Sequence, residues 1–205
     1  MTPEEYYGRE YGTLLAVKNR LVDNIEGFIL THEPENSARP IVYYRSRVKS
    51  PDSLDAKLAR HGREPGYASA VAAEMHDVVG ARIVCAFNDD VYSVAAWLMK
   101  CPDYESVLTK DYIAYPKPNG YRSLHLILRV RGGIGAGMLL EVQLRTIAMD
   151  FWSTLEHKVK YKKDVPNADM MLRELKRCAD EIASVDLDMQ SIRDLIQKNI
   201  PDDEG

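Results

Sequence analysis

Two neighbouring strand-like segments joined by a run of glycines constrain the fold most strongly. In MLLEVQLRT, Leu140, Val142 and Leu144 alternate with polar side chains at 141, 143 and 145. Successive side chains of a strand point to opposite faces, so this segment predicts a strand with one apolar and one polar face. The segment before it, SLHLILRVR, also has a strand pattern, and the intervening RGGIGAG predicts a hairpin connection. The apolar face of this pair needs cover from helices.

The rest of the chain alternates between strand and helix patterns. Strands are predicted over residues 41–48, 81–87 and 104–113. Apolar residues at helical spacing predict a long helix over 4–30, and Ser50 as N-cap before Pro51 opens another. Further helices are predicted over 67–76, 89–100, 146–162 and 168–198. We therefore expect one α+β domain over 1–205, a mixed sheet of about five strands flanked by helices, with a disordered tail at 201–205.

Composition excludes several classes of protein. A chain of 205 residues, 45% hydrophobic and 28% charged, is long enough to bury a core and is ordinary for a globular domain. Cys85, Cys101 and Cys178 are odd in number and form no CxxC pair, which predicts reduced thiols rather than a disulfide framework or a zinc site. No apolar run approaches 18 residues and the N-terminus lacks a signal-peptide pattern, so we expect no membrane span and a cytoplasmic location.

A basic stretch lies within an acidic protein. The net charge is −4, yet residues 39–63 carry a net charge of +5 and residues from 164 onward carry −6. No GxxxxGK[ST] loop is present. Strand alternation and helix spacing instead place several groups of RSRVKSPDSLDAKLAR on shared faces: Arg45, Arg47, Lys49, Ser53, Lys57 and Arg60. The pattern, beside a helix N-terminus, suits a phosphate chain, and a solvated basic helix explains it equally well.

Two carboxylates have the setting of magnesium ligands. Asp77 is predicted to close a helix, Gly80 to permit a turn and Arg82 to begin an apolar strand, while Glu141 lies on the polar face of its strand. Because Mg²⁺ takes one or two carboxylates plus phosphate oxygens, Asp77 and Glu141 across a cleft would complete a site, or Glu141 would act as a general base. In isolation, Asp77 and Arg82 fit a surface ion pair as well. A metal-dependent phosphohydrolase built on His76 and Asp77 is rejected, because the further His and Glu-Asp cluster is missing.

The stretch KDYIAYPKPNGYRSLH gathers turn residues, cations and aromatic rings. Lys110 and Lys117 supply charge, and Asn119 has the groups to hydrogen-bond a base edge. Tyr121 offers a flat face for stacking, and His125, four residues along, lies on the same strand face. A plain turn with a tyrosine packed on the core is the alternative. The density of cations and rings favours a ligand that is anionic and flat.

In order and content, four motifs together resemble the synthetase domain of the RelA/SpoT family. They are RxKxxxSxxxKxxR, DxxGxRIxC followed by DDVY, KDYIxxPKPNGYRSLH, and EVQLRTxAMDFWxxLEHxxxYK, over about residues 40–163. The resemblance implies a fold similar to nucleotidyltransferases and transfer of pyrophosphate from ATP to the 3′-hydroxyl of GDP or GTP, giving AMP and ppGpp or pppGpp. The length leaves no room for the family's hydrolase and regulatory domains. The chain therefore resembles a small alarmone synthetase without hydrolase activity.

On the ATP side, the resemblance implies a role for each matching residue. Arg47 and Arg82 would sandwich the adenine, a stacking role for which lysine is unsuited. The ATP phosphates would be held by Lys49, Ser53, Lys57 and Arg60. Asp77 and Glu141 would bind Mg²⁺, and Glu141 would also be the base for the 3′-hydroxyl.

On the acceptor side, the resemblance implies that Tyr121 stacks on guanine and Asn119 reads its edge. The acceptor's phosphates would be contacted by Lys110, Lys117 and His125. Gln143 is placed near the site. Where bifunctional members carry RxKD, this chain has LTKD at 108–111, which leaves the choice between GDP and GTP open.

Assembly, regulation and two rival functions stay open. The helices over 4–30 and 168–198 are expected either to form a homo-oligomer, commonly a tetramer in small family members, or to pack on their own sheet. Regulation by single-stranded RNA or (p)ppGpp is not decided by the sequence. One rival is a nucleotidyltransferase of similar fold; the other is a non-catalytic module that binds nucleotides or single-stranded RNA. A pure binder would need neither Asp77 nor Glu141.

Overall fold

Five strands form one mixed sheet in the computed structural model, which describes residues 1–32, 39–160 and 168–198. The strands are β1 (Ile41–Val48), β2 (Val79–Cys85), β3 (Tyr104–Asp111), β4 (Leu124–Val130) and β5 (Leu139–Thr146). They lie in the order β1-β2-β5-β4-β3, with β2 and β5 parallel and the other neighbouring pairs antiparallel. The predicted α+β class and five-stranded mixed sheet are confirmed.

Seven helices accompany the sheet within the described residues. They are α1 (Pro3–Tyr7), α2 (Glu10–Thr31), α3 (Pro51–Arg60), α4 (Tyr67–Ala72), α5 (Asn88–Lys100), α6 (Ile147–Lys160) and α7 (Ala168–Lys198). None of them is both long enough and apolar enough to cross a bilayer. The predicted tail at 201–205 and the end of the helix predicted over 146–162 lie outside the described residues.

The core lies between one face of the sheet and the helices α2 and α5. From the strands, the buried apolar side chains include Ile83, Leu126, Leu128, Leu140, Val142 and Leu144. From the two helices they include Leu14, Leu21, Ile25, Val91, Val94 and Leu98. Because side chains alternate along each strand, the opposite face is left for the polar residues of β2, β4 and β5.

Three local predictions need correction. The helix predicted over 4–30 is interrupted at Gly8, whose φ of +56° separates α1 from α2. The helix predicted over 67–76 ends at Ala72, because Glu74 takes a left-handed φ of +48° that stops it; Asp77 therefore follows a turn and does not close a helix. Gly80 lies inside β2 and makes no turn.

The start of α3 lies at the predicted position, but the capping hydrogen bond expected from Ser50 is not made. Pro51 is the first helical residue and Ser50 has the extended backbone of an N-cap. The Ser50 hydroxyl makes no capping hydrogen bond and instead lies 2.8 Å from the hydroxyl of Ser53. The proline and the first-turn geometry are therefore enough to begin this helix.

Candidate active site

A row of polar residues crosses all five strands on the face away from the core. Pairing across the sheet places these residues side by side in the order Arg45, Arg82, Gln143, His125 and Lys110. Two residues further along, Arg47, Gly80 and Glu141 are likewise neighbours on β1, β2 and β5. The register of the sheet thus brings together groups that are far apart in sequence.

The members of these rows on β1, β2 and β5 form the floor of an open cleft of about 200 Å³. Its lining consists of Arg45, Ser46, Arg47, Asp77, Gly80, Ala81, Arg82, Glu141 and Gln143. A Cβ atom at Gly80 would lie 3.1 Å from the carbonyl oxygen of Glu141, closer than ordinary van der Waals contact. Glycine therefore allows the close approach of β2 to β5 and keeps the floor of the cleft open beside Arg47.

Asp77 is held by two lysines at one side of the cleft. Its Oδ2 accepts a short hydrogen bond from Lys49, which is buried, and its Oδ1 lies 2.8 Å from Nζ of Lys57. Burial alone would raise the pKa of Asp77, but the hydrogen bonds from both lysines outweigh it and lower the pKa to about 2. The carboxylate is ionised at neutral pH. The predicted alternative of an Asp77–Arg82 ion pair is wrong, since Arg82 pairs with Asp150.

Glu141 is held on the other side by three side chains. Nδ1 of His125 lies 3.1 Å from its Oε1, Gln143 donates to its Oε2 at 3.0 Å, and Nε2 of His76 lies 3.7 Å from Oε1. Burial would raise the pKa of Glu141, but the hydrogen bonds from His125 and Gln143, with the charge of His125, lower it to about 2. Glu141 is therefore also a carboxylate at neutral pH.

Tyr121 joins this network through its hydroxyl group. Because Glu141 is ionised and can only accept, Nδ1 of His125 carries a proton and donates to it. Nε2 of His125 lies 2.9 Å from the Tyr121 hydroxyl, which also accepts a hydrogen bond from Nη2 of Arg145 at 2.7 Å. The ammonium group of Lys117 lies 4.8 Å from the centre of the Tyr121 ring. The ring is half-buried and fixed at both its edge and its face.

Two residues of the network had no predicted role, Arg145 and Asp150. Arg145 shares the polar alternation of Glu141 and Gln143, so its position on the cleft face was readable from sequence. Asp150 lies one turn into α6, which begins directly after β5 with Thr146 accepting from the backbone N–H of Met149 at 3.2 Å. Only the packing of α6 over the sheet brings Asp150 to Arg82 and Arg145, at 3.0 and 3.2 Å.

Three of the predicted binding residues lie away from this network. Ser53 and Arg60 are exposed on α3, where Arg60 donates to the carbonyl oxygen of Ala56. Asn119 donates to Glu156 of α6 at 3.0 Å, and its Oδ1 accepts from the backbone N–H of Tyr121 at 3.2 Å. In this structure Asn119 thus shapes the turn that presents Tyr121.

The carboxylates of the cleft suit a magnesium ion only if a substrate supplies further ligands. The described residues bring no group of three or more His, Cys, Asp or Glu together. Asp77 and Glu141 both line the cleft, and the charge of Asp77 acts to raise the pKa of Glu141. One or two carboxylates are what Mg²⁺ takes from a protein when phosphate oxygens and waters supply the remaining ligands.

Comparisons with known proteins agree with one another. The model of the region found in RelA/SpoT proteins matches residues 46–165. GTP pyrophosphokinase YwaC of Bacillus subtilis (strain 168) is 43% identical over 159 residues, covering 75% of this chain and 74% of YwaC.

Two crystal structures of small alarmone synthetase 1 from Bacillus subtilis are similar to this fold. The one bound to its product pppGpp has a TM-score of 0.81 at 30% identity and covers 94% of this chain and 99% of that one. The one bound to AMPCPP has a TM-score of 0.73 at 28% identity, covering 95% and 99%. The similarity thus extends far beyond the four motifs.

Proposed function

This chain belongs to the RelA/SpoT family, and from that premise we propose that its cleft is the active site of a small alarmone synthetase. The enzyme transfers pyrophosphate from ATP to the 3′-hydroxyl of GDP or GTP, giving AMP and ppGpp or pppGpp. The observation that carries the proposal is the meeting of two ionised carboxylates, Asp77 and Glu141, with a row of cations on one sheet face. Relatives named as GTP pyrophosphokinase and structures titled with pppGpp and AMPCPP support it.

The ATP side of the proposed site is the part of the cleft between β1 and Asp77. Arg47 is exposed at the cleft and Arg82 faces it from the neighbouring strand, which suits two guanidinium planes on either side of an adenine. Lys49 and Lys57, which both bind Asp77 in this structure, would contact the ATP phosphates beside it. Ser53 and Arg60 would extend this contact along the exposed face of α3.

The acceptor side is the part of the network around Tyr121. We place guanine against its ring, with the cations Lys110 and Lys117 and the imidazole of His125 toward the phosphates. Lys117 lies over the ring in this structure, so a base that stacks there would displace it. Gln143 lies between both sides, since it bonds to Glu141 and accepts from Arg145 at 3.0 Å.

The chemistry is a displacement at the β-phosphorus of ATP. The 3′-oxygen forms a bond to that phosphorus, the bond to the bridging oxygen breaks, and AMP leaves with that oxygen. Glu141, ionised at neutral pH, accepts the hydrogen of the 3′-hydroxyl, and the cations neutralise the phosphates. Mg²⁺ held by Asp77 and Glu141 would add Lewis-acid stabilisation of the phosphate oxygens.

Assembly and location are further parts of this proposal. We propose a homo-oligomer, a tetramer as in small family members, built in part on the apolar side chains that α7 exposes. They include Val185, Leu187, Met189, Ile192 and Ile196. The three free cysteines fit the reducing cytoplasm that the sequence predicts.

Incubation with ATP and each of GMP, GDP and GTP, followed by ion-exchange chromatography, tests the proposal. We expect AMP and a 3′-pyrophosphorylated guanosine nucleotide in equal amounts, in at least one of the three reactions. Pyrophosphate together with a nucleotidylated product would support the rival nucleotidyltransferase. Nucleotide binding without any product would support the non-catalytic module.

A further inference from the structure

Asp150 is a buried carboxylate that binds three side chains at once. Its Oδ1 accepts from Nη1 of Arg82 at 3.0 Å and from Nη1 of Arg145 at 3.2 Å. Its Oδ2 accepts from the hydroxyl of Tyr43 at 2.6 Å. The residue itself is 8% exposed, so these contacts are made largely out of water.

The two arginines lead to opposite sides of the proposed site. Arg82 lines the cleft from β2, and its Nε is buried without a hydrogen-bond partner among the described residues. Arg145 reaches the other way, with Nη2 at 2.7 Å from the Tyr121 hydroxyl and 3.0 Å from Oε1 of Gln143. A single carboxylate oxygen therefore joins the ATP side to the guanine side.

Asp150 must be negatively charged to hold Arg82 and Arg145 together, for an electrostatic reason. Burial lowers the pKa of Arg82, and the nearby charge of Arg145 lowers it further, whereas Asp150 raises it. The two guanidinium groups repel each other, and Asp150 lies between them. Loss of that charge would let the guanidinium groups separate, and each would carry its own part of the site with it.

We propose that Asp150 is a positioning residue that holds Arg82 and, through Arg145, Tyr121 where each of them binds its own nucleotide. The inference deepens the proposed function and rests on it. Asp150 touches neither substrate; it acts through the two arginines. Loss of Asp150 should therefore weaken the binding of both substrates. Loss of a residue that contacts only one substrate should weaken the binding of that substrate alone.

The test is steady-state kinetics of Asp150→Asn with ATP and GTP varied in turn. Asparagine keeps the size of the side chain but loses the charge that holds two guanidinium groups. We expect the KM for ATP and the KM for GTP each to rise about tenfold, as for loss of a hydrogen bond to a charged group. Arg82→Ala should raise mainly the KM for ATP, and Tyr121→Phe mainly the KM for GTP.

Asp186→Asn is the matched control, because Asp186 is also a buried carboxylate with two hydrogen bonds, to Thr146 and Asn88, outside the cleft. Its two KM values should equal those of the wild type. A rise in only one KM for Asp150→Asn, or a lower kcat with both KM values unchanged, overturns the inference. The second result would indicate a merely structural role.

If Asp150→Asn does not fold by circular dichroism, Tyr43→Phe removes one hydrogen bond from Asp150 and should raise both KM values about two- to threefold. Unchanged KM values for Tyr43→Phe would then contradict the positioning role of Asp150. If the wild type makes no (p)ppGpp, the proposed function fails. Calorimetric binding of AMPCPP and of GDP to wild type and variant then decides the inference separately: equal affinities overturn it, and joint weakening supports it.

Discussion

Three side chains contact the carboxylate of Glu141, and these contacts determine what the residue can do. His125 and Gln143 donate to separate oxygens, so the carboxylate is fixed in direction and kept ionised. An ionised, oriented carboxylate is suited to align a hydroxyl group for attack. Its proposed role needs the negative charge, not only the shape of the side chain.

Glu141→Gln should therefore slow synthesis strongly while nucleotide binding survives. Glutamine has the same size but can neither accept the hydrogen of the 3′-hydroxyl as a carboxylate does nor bind Mg²⁺ well. We expect kcat to fall about 100- to 1,000-fold, as for loss of one strong transition-state contact. Glu105→Gln, an exposed change on β3, is the control and should be silent. Full activity of Glu141→Gln would contradict its assignment as the base.

At this scale the sequence predicts positions better than contacts. Alternation along β5 correctly placed Glu141, Gln143 and Arg145 on one face, because a strand has a fixed period of two. The same reasoning could not show that Arg145 holds the Tyr121 hydroxyl. It also missed Asp150, because that contact depends on how α6 packs over β2 and β5.

At the scale of elements, the turn that presents Tyr121 is docked on α7. Gly120 has φ +89°, and a Cβ there would lie 2.5 Å from the Cβ of Ala179 and 3.3 Å from the Cα of Lys176. Arg122 donates to the carbonyl oxygen of Ala179 at 3.2 Å and to Asp180 at 3.0 Å. The proposed acceptor turn therefore takes its shape partly from a distant helix.

Arg122→Ala should loosen this turn and selectively weaken binding of the acceptor nucleotide. We expect the KM for the guanine nucleotide to rise about tenfold, while the KM for ATP stays within about twofold, because the lost bonds include one to a carboxylate. Arg177→Ala is the control, since Arg177 is exposed on α7 and pairs with Glu174 and Glu181 of the same helix. Equal changes in both KM values would argue against a role confined to the turn.

Asp186 connects α7 to the junction of β5 and α6, and its charge should make stability depend on pH. Burial raises its pKa despite hydrogen bonds from Thr146 and Asn88. Because the folded pKa lies above the unfolded one, the charge costs stability at neutral pH, and this cost disappears as the pH falls below the unfolded pKa.

Asp186→Asn should therefore gain stability relative to wild type at pH 7, and the gain should shrink toward pH 4. Urea unfolding at both pH values measures the difference. A difference that does not change with pH would show that the Asp186 carboxyl group has similar pKa values in the folded and unfolded chains.

The elements themselves were largely predictable from sequence. Residues 41–48 and 168–198 form the predicted strand and helix to the residue, because their patterns are long and bounded by turn residues or a proline. The break at Gly8 and the early end of α4 were not predicted. Both depend on single residues with positive φ, Gly8 and Glu74, and for glutamate such a conformation has no sequence signal.

At the scale of the whole molecule, the order of the strands in the sheet determines which residues meet in the cleft. The parallel pair β2–β5 brings Asp77 and Arg82 beside Glu141, although they are about sixty residues apart. The sequence alone left the strand order open, since strand patterns do not fix their partners.

The fate of the ATP phosphates distinguishes pyrophosphate transfer from nucleotidyl transfer. Wild-type protein is incubated with GDP and ATP labelled at either the α- or the γ-phosphorus, and the products are separated by chromatography. We expect the γ label to appear in ppGpp and the α label in AMP. An α label in the guanosine product, with the γ label released as pyrophosphate, would contradict it.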